Sequence, residues 1–290
     1  MFEDAEPSPE KLKHDIQQLV DWLSKAHHLP NIDDVEWLTT FFYNNKYSLE
    51  ATKCKLEAYF SLKNKYPHLL KDRRPTASEL LQARKAFNSC VSSTLTSDGC
   101  RLLHWKFGPD PSEMIVSNVN KRWFMILDML YLEKDRRVPY ISICDCQHLS
   151  YRHFLKLMID LAAGAEIFND ACTDRLEMIH LINAPVWMDV MIKAFLPFFP
   201  EKYASRVTSH SAGESKDLLL QNVDEMVLCS DFGGRGPSLK EYDEYTQQKL
   251  EQYDQWFKDQ DNLCSDDSKR EKEANNFEEM KGSFRKLEVD

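Results

Sequence analysis

Cys144-Asp145-Cys146 is the place where metal chemistry would be sought first in this chain. Tetrahedral zinc needs a second Cys or His pair at matching spacing, and none follows. The two thiols are therefore expected as packing groups at a strand end, and no metal is expected. His180 lies inside the apolar run Met178–Ile182 with no acid or base beside it, so it is expected as a core histidine rather than a general base. The chain has only eight glycines and contains no GxGxxG, GxxxxGK[ST] or GxSxG pattern. Nucleotide, phosphoryl-transfer and serine-hydrolase chemistry lose their usual supports. Catalytic residues and cofactor are accordingly both expected to be none, and the chemistry left to the chain is binding.

The segment best suited to binding starts at Pro185 and runs to Leu196, and its only charged residues are Asp189 and Lys193. Proline suits a first helical position, and the acid-to-base spacing of four stabilises a helix. A helix apolar on most sides must lie in a core, on a membrane surface or over a ligand cavity. It is too short and too charged to span a bilayer. Periodicity alone favours the core. Trp187, Met188 and Met191 suit an adaptable surface that meets lipid.

The formal charge of −10 argues against nucleic acid, whose phosphates select a basic face. No stretch approaches the roughly 20 apolar residues of a membrane span, and the acidic N-terminus lacks the basic-then-apolar order of a signal peptide. A cytoplasmic protein with eight reduced cysteines is expected.

Helical periodicity appears at Ile16, Leu19, Val20 and Leu23, then at Val35, Leu38 and Phe42, and again after Ser48 through Leu49, Leu56 and Phe60. A further helix is predicted to reach about Val91, before the Ser97-Asp98-Gly99 turn. Strands are predicted at Arg101–Phe107, Val138–Asp145, Met178–Ile182 and Arg206–Ser209. Helices are predicted at Ser117–Lys134, Ser150–Cys172 and Ser238–Lys258. The run from Val138 to Ile182 reads as a βαβ unit with parallel strands.

Ile179-His180-Leu181-Ile182-Asn183-Ala184-Pro185, the apolar helix, Phe195–Phe199 and Lys202 together resemble the signature stretch of the CRAL-TRIO lipid-transfer family. Asp98-Gly99, the Tyr140–Asp145 strand and Leu228–Gly234 agree in order with the flanking motifs. The resemblance is to the branch that holds tocopherol and retinaldehyde carriers. It implies an α/β fold: an N-terminal helical bundle, then a CRAL-TRIO domain with a mixed, mostly parallel five-stranded sheet and a mobile gate helix over an apolar pocket. The implied divisions are a flexible N-terminus at 1–9, the bundle at 10–75, the lipid-binding domain at 76–237, a C-terminal helix at 238–260 and a charged tail at 261–290.

Family position and apolar periodicity together point Trp123, Ile126, Leu127, Leu130, Tyr140, Ile143, Phe154, Leu157, Met158, Ile179, Leu181, Val190 and Phe195 into the pocket. Pro185, Val186, Trp187, Met188, Met191 and Ile192 are the implied gate and membrane contacts. The family also grips phosphoinositide headgroups with cations, and Arg175, Lys202 and Arg206 stand at such positions. That cluster is only partial. Glu177 replaces one cation, Tyr43 and Asn45 replace two arginines, and Leu196 replaces a common lysine. The resulting reading is a non-catalytic carrier of an isoprenoid- or vitamin-like ligand, docking transiently and peripherally on membranes. Its competitors are a phosphoinositide- or phospholipid-binding adaptor, whose protein partner meets the C-terminal helix and tail, and an enzyme acting on a bound lipid, which the missing nucleophile disfavours.

Overall fold

The computed structural model describes residues 7–32 and 34–270. Residues 1–6 of the expected flexible N-terminus and 271–290 of the expected tail lie outside the described residues. The chain opens with α1 (Pro9–Lys25), α2 (Val35–Asn44), α3 (Leu49–Lys65) and the single turn α4 (Pro67–Leu70). Side chains set the starts: the Ser8 hydroxyl accepts from the Lys11 amide ahead of α1, and Ser48 does the same for Ala51 ahead of α3. Then follow α5 (Ser78–Ala86), β1 (Phe87–Val91), β2 (Arg101–Phe107), α6 (Val116–Leu132), β3 (Pro139–Asp145), α7 (Tyr151–Leu157) and α8 (Leu161–Asp170). The remainder is β4 (Arg175–Ile182), α9 (Met188–Phe195), β5 (Val207–Ser209), α10 (Ser215–Asn222), α11 (Leu239–Gln252) and α12 (Asp254–Gln260).

Leu19, Leu38, Phe41, Phe42 and Leu56 are fully buried where α1, α2 and α3 meet, each contributing about 2 kcal/mol of apolar burial. The bundle core continues into its neighbours, because Phe124, Leu127 and Tyr131 of α6 and Ile167 of α8 belong to the same cluster. Leu127, implied as a pocket residue, therefore faces the bundle. A buried ion pair stitches the same seam: Arg73 Nη1 donates to Asp128 Oδ2 at 2.5 Å while the Tyr59 hydroxyl donates to the same carboxylate.

The five strands lie in the order β1-β2-β3-β4-β5, with β1 antiparallel to β2 and every other pairing parallel. The helical pattern predicts no strand before Arg101, yet the chain leaves α5 at Ala86 and pairs Phe87 with Phe107 and Val91 with Leu103. Gly108 permits this junction. Its amide donates to the Ala86 carbonyl at 2.9 Å, and a Cβ there would stand 2.8 Å from that oxygen.

Side chains alternate across the sheet. Leu102, Ile143 and Ile182 join α10, Leu239, Tyr242 and the loop from Val223 to Phe232 on one face. Leu103, Trp105, Phe107, Tyr140, Cys144 and Leu181 lie on the other, under α6, α7, α9 and the helices of the C-terminus. Gly234 lets the first face close, since a Cβ would sit 2.0 Å from the Leu228 carbonyl oxygen.

Two predicted helices divide. The one expected over Ser150–Cys172 divides into α7 and α8, and the one expected over Ser238–Lys258 divides at Tyr253. The tail expected from Asp261 instead packs through residue 270. The Ser265 amide donates to the Phe60 carbonyl at 3.2 Å, and Arg270 pairs with the buried Glu57 at 2.5 Å. Polar contacts order this segment, which a count of its apolar residues does not register.

Candidate functional site

The site is built at the end of β4. Asn183 takes a left-handed conformation (φ 51°), which its short polar side chain tolerates. It is held on both sides: its amide donates to Ser215 Oγ at 3.0 Å and its Nδ2 to Asp145 Oδ1 at 2.8 Å. The Ala184 amide donates to the His210 carbonyl at 2.9 Å. The chain then turns, with the Met188 amide donating to the Pro185 carbonyl at 2.9 Å, before α9 begins. The helix thus starts three residues later than proline placement predicts, and Pro185 to Trp187 form its entry turn.

This start sets which side faces in. Met188 is 3% exposed, and Met191, Ile192 and Phe195 follow at i+3, i+4 and i+7, a stripe aimed at the sheet. Val186 is fully exposed and Val190 is 60% exposed on the opposite side. Val190 points away from the implied pocket, and Met188, Met191 and Ile192 point into the protein rather than at a membrane.

Beneath α9, Trp105 of β2, Cys144 of β3 and Leu181 of β4 share one cluster with Leu157 of α7 and with Trp187, Met191 and Ile192. The register puts Ser89 opposite Trp105, and Ile179 on the same face as Leu181. Trp123 of α6 lies on Trp105 with ring centroids 4.1 Å apart, and Phe154 of α7 meets Trp187 and Phe195 at 6.3 and 6.2 Å. Although β4 is flanked by strands on both sides, Leu176, Ile179 and Leu181 are only half-buried. A face packed shut by α9 would have buried them.

Of the implied pocket residues, the structure therefore gathers Trp123, Phe154, Leu157, Ile179, Leu181 and Phe195 around α9. Ile126, Leu130 and Tyr140 are fully buried in a neighbouring cluster beside α11 and α12. Ile143 faces away, because it pairs with His104 and His180 on the α10 side of the sheet. Met158 lies at the surface. Trp105, Ser89, Cys144 and Ala184 are additions. Alternation along Leu103, Trp105 and Phe107 was the available signal for Trp105, while Ser89 required the unrecognised β1.

The three candidate cations gather near the starts of β4 and β5, but their charges are engaged. Arg175 pairs with Glu177, the Arg206 guanidinium donates to the Leu176 carbonyl, and Lys202 and Arg206 both lie over the Tyr203 ring. Lys55 approaches from the bundle, its ammonium donating to the carbonyls of Asn169 and Cys172 at 2.5 and 2.8 Å. Burial pulls its pKa down.

Two titratable groups on the sheet, Cys144 and His180, are held neutral. A sulfur hydrogen bond from Cys146, and then burial, push the Cys144 thiol well up. Burial lowers His180 to about 4, with Thr208 Oγ1 3.0 Å from its Nδ1 and the His210 ring stacked at 5.8 Å. Among the described residues no group of three or more His, Cys, Asp or Glu side chains could hold a metal, and no helix is long and apolar enough to cross a membrane.

Two family models match the chain: a CRAL/TRIO domain over residues 93–234 and a Pinta-like UBA domain over residues 8–80. Alpha-tocopherol transfer protein-like proteins of Homo sapiens and Pongo abelii are each 24% identical over 247 residues, covering 82% of this chain and 69% of theirs. The Mus musculus counterpart is 24% identical over 248 residues with the same coverage. A crystal structure of Sfh5 shares the fold at 10% identity with a TM-score of 0.50, covering 84% of this chain and 98% of that one.

Proposed function

Because the chain belongs to the CRAL/TRIO family through residues 93–234, we propose that it holds a hydrophobic small molecule between α9 and the β2–β4 face and carries it between membranes. The observation that supports this reading most directly is the two-sidedness of α9. Its inner stripe, Met188, Met191, Ile192 and Phe195, covers half-buried strand residues, while Val186 and Val190 face solvent. A short helix that presents valines to solvent on one side and covers half-buried strand residues on the other is arranged as a movable cover.

The outward face extends beyond the helix. Tyr151 and Leu155 of α7, then Ile159 and Phe198, are exposed as well, and Tyr151 meets Trp187 with ring centroids 6.2 Å apart. An apolar surface of this kind marks a docking face for a membrane. Asn183 serves as the hinge: its anchors hold the strand end, and the entry turn is where α9 swings out. Docking from the cytoplasm opens the gate, and the cargo leaves into the bilayer.

Affinity comes from burial, at roughly 25 cal/mol per Å² of apolar surface removed from water, with no covalent step. The floor offers few polar groups, which suits an isoprenoid- or vitamin-like molecule better than a phospholipid with a charged head. The relatives' name, alpha-tocopherol transfer protein-like, points to the same class. Membrane contact rests here on the apolar face rather than on Arg175, Lys202 and Arg206, which are already engaged within the chain. The adaptor reading gains nothing from α11 and α12, whose Tyr242, Leu250 and Phe257 are buried against the body.

The test is extraction of the purified protein with organic solvent and mass spectrometry of the extract, followed by transfer of labelled isoprenoid between liposomes. A co-purifying lipid and protein-dependent transfer are expected. An empty extract with no transfer would end the carrier reading.

A further inference from the structure

Two buried polar atoms on the pocket floor have no hydrogen-bond partner among the described residues: Trp105 Nε1 and Ser89 Oγ. They are neighbours. β1 and β2 pair antiparallel with Ser89 directly opposite Trp105, which brings the Cβ atoms of such a pair within about 5.5 Å on one face. Ser89 is 1% exposed. The indole lies between Phe87 and Trp123, with centroids 5.5 and 4.1 Å away, so carbon surrounds it on two sides.

An indole N–H can only donate, whereas a hydroxyl donates and accepts. Leaving either group unpaired in an apolar wall is unfavourable, because the hydrogen bond it makes to water in the unfolded chain is not replaced. An oxygen brought by a bound molecule satisfies both groups at once, since they stand on adjacent strands of a face whose other hydroxyls, Ser142 and Ser209, lie on β3 and β5. The unpartnered imidazole nitrogen on α7 differs in kind. His153 accepts at Nδ1 from the Ser150 amide, so its Nε2 carries the proton, and the Phe107 ring sits edge-on at 5.3 Å.

We propose that Trp105 and Ser89 form the polar end of the pocket and recognise one uncharged oxygen of the cargo, the indole donating to it and the serine hydroxyl completing the contact. This rests on the pocket reading above and narrows it. The cargo class becomes a long apolar molecule carrying a terminal hydroxyl, aldehyde, ketone or ester, and pure hydrocarbons are discriminated against. Recognition by a group that must be satisfied rejects the analogue lacking the oxygen more strongly than shape alone does.

The probes are radiolabelled phytol and phytene, which share a carbon skeleton and differ by the hydroxyl, each supplied in phosphatidylcholine vesicles to the full chain. Protein-bound label is measured for wild type, Trp105→Phe and Ser89→Ala, with thermal melting as a check on folding. Trp105→Phe is expected to lower phytol loading about tenfold, equivalent to about 1.4 kcal/mol, while phytene loading stays within about twofold. Ser89→Ala should lower phytol loading alone, about threefold or more, and it carries the comparison if Trp105→Phe melts early. Equal losses for both probes would make the pair mere packing and overturn the proposal, as would unchanged phytol loading. If wild type loads neither probe, the pocket reading itself fails and the polar end fails with it.

Discussion

The indole of Trp105 on β2 lies against the indole of Trp123 on α6, with ring centroids 4.1 Å apart and planes inclined by 46°. Trp123 also packs on the bundle cluster and on the cluster beside α11. One side chain thus connects the N-terminal bundle to β2.

Trp123→Ala tests that connection. Truncating a fully buried tryptophan costs about 3–5 kcal/mol, but Trp123 is only half-buried, so a loss nearer 2 kcal/mol is expected in urea unfolding. Bound isoprenoid should recover part of it by occupying the vacated wall. An identical loss with and without cargo would assign Trp123 to the core alone.

The outer face of α9 is tested by Val186→Asp combined with Val190→Asp. Both side chains stand in solvent, so the melting temperature and cargo loading should barely change, surface replacements being worth within about 0.5 kcal/mol. Transfer between liposomes should slow by about tenfold or more, since two carboxylates must now approach hydrocarbon. Undiminished transfer would move the docking face elsewhere.

Asn183 separates strand stability from gate motion. Asn183→Val places a β-branched residue at φ 51° and should destabilise by about 2 kcal/mol in urea. Asn183→Gly accepts the backbone but loses the hydrogen bond to Asp145. It should fold, bind cargo and release it several-fold faster in a stopped-flow liposome assay. Slower release from the glycine variant would remove the hinge from this position.

Much of this arrangement was legible in the residues. The third helix begins after Ser48 as predicted, the run from Val138 to Ile182 forms parallel neighbours, and the apolar stretch after Pro185 lies over the sheet. The inner stripe Met188, Met191, Ile192 and Phe195 was also readable, but an assumed start at Pro185 gave its faces the wrong roles. β1 was hidden for a different reason. Phe87-Asn88-Ser89-Cys90-Val91 is buried on both faces by α5, α11 and the sheet, so no alternation marks it, and it follows a helix without a glycine or proline break. With β1 went Ser89. Ile143 was misassigned because apolar residues occupy both faces of a covered parallel strand, and only the register decides which side each one serves.

Asp174 offers a prediction in pH. It lies between α8 and β4, where the Tyr131 hydroxyl donates to its Oδ2 at 2.7 Å and the Thr173 amide donates to that hydroxyl oxygen at 3.0 Å. Burial pushes its carboxyl up from the ordinary 3.8 to about 7. Between those values the folded chain holds a proton that the unfolded chain has released. The stability this group contributes is therefore full below about pH 4 and is lost as pH rises through 7. Burial lowers His104 to about 3 and His180 to about 4, and both act in the opposite sense, favouring the folded state as pH rises. Their contribution cancels when wild type is compared with Asp174→Asn, which keeps the shape and removes the titration. Urea unfolding at pH 5 and pH 8 should show the asparagine variant gaining on wild type by about 2 kcal/mol across that interval. A difference between the two proteins that stays constant from pH 5 to pH 8 would mean that Asp174 is already ionised in the folded chain, with the Lys55 ammonium as the nearby charge that holds it so.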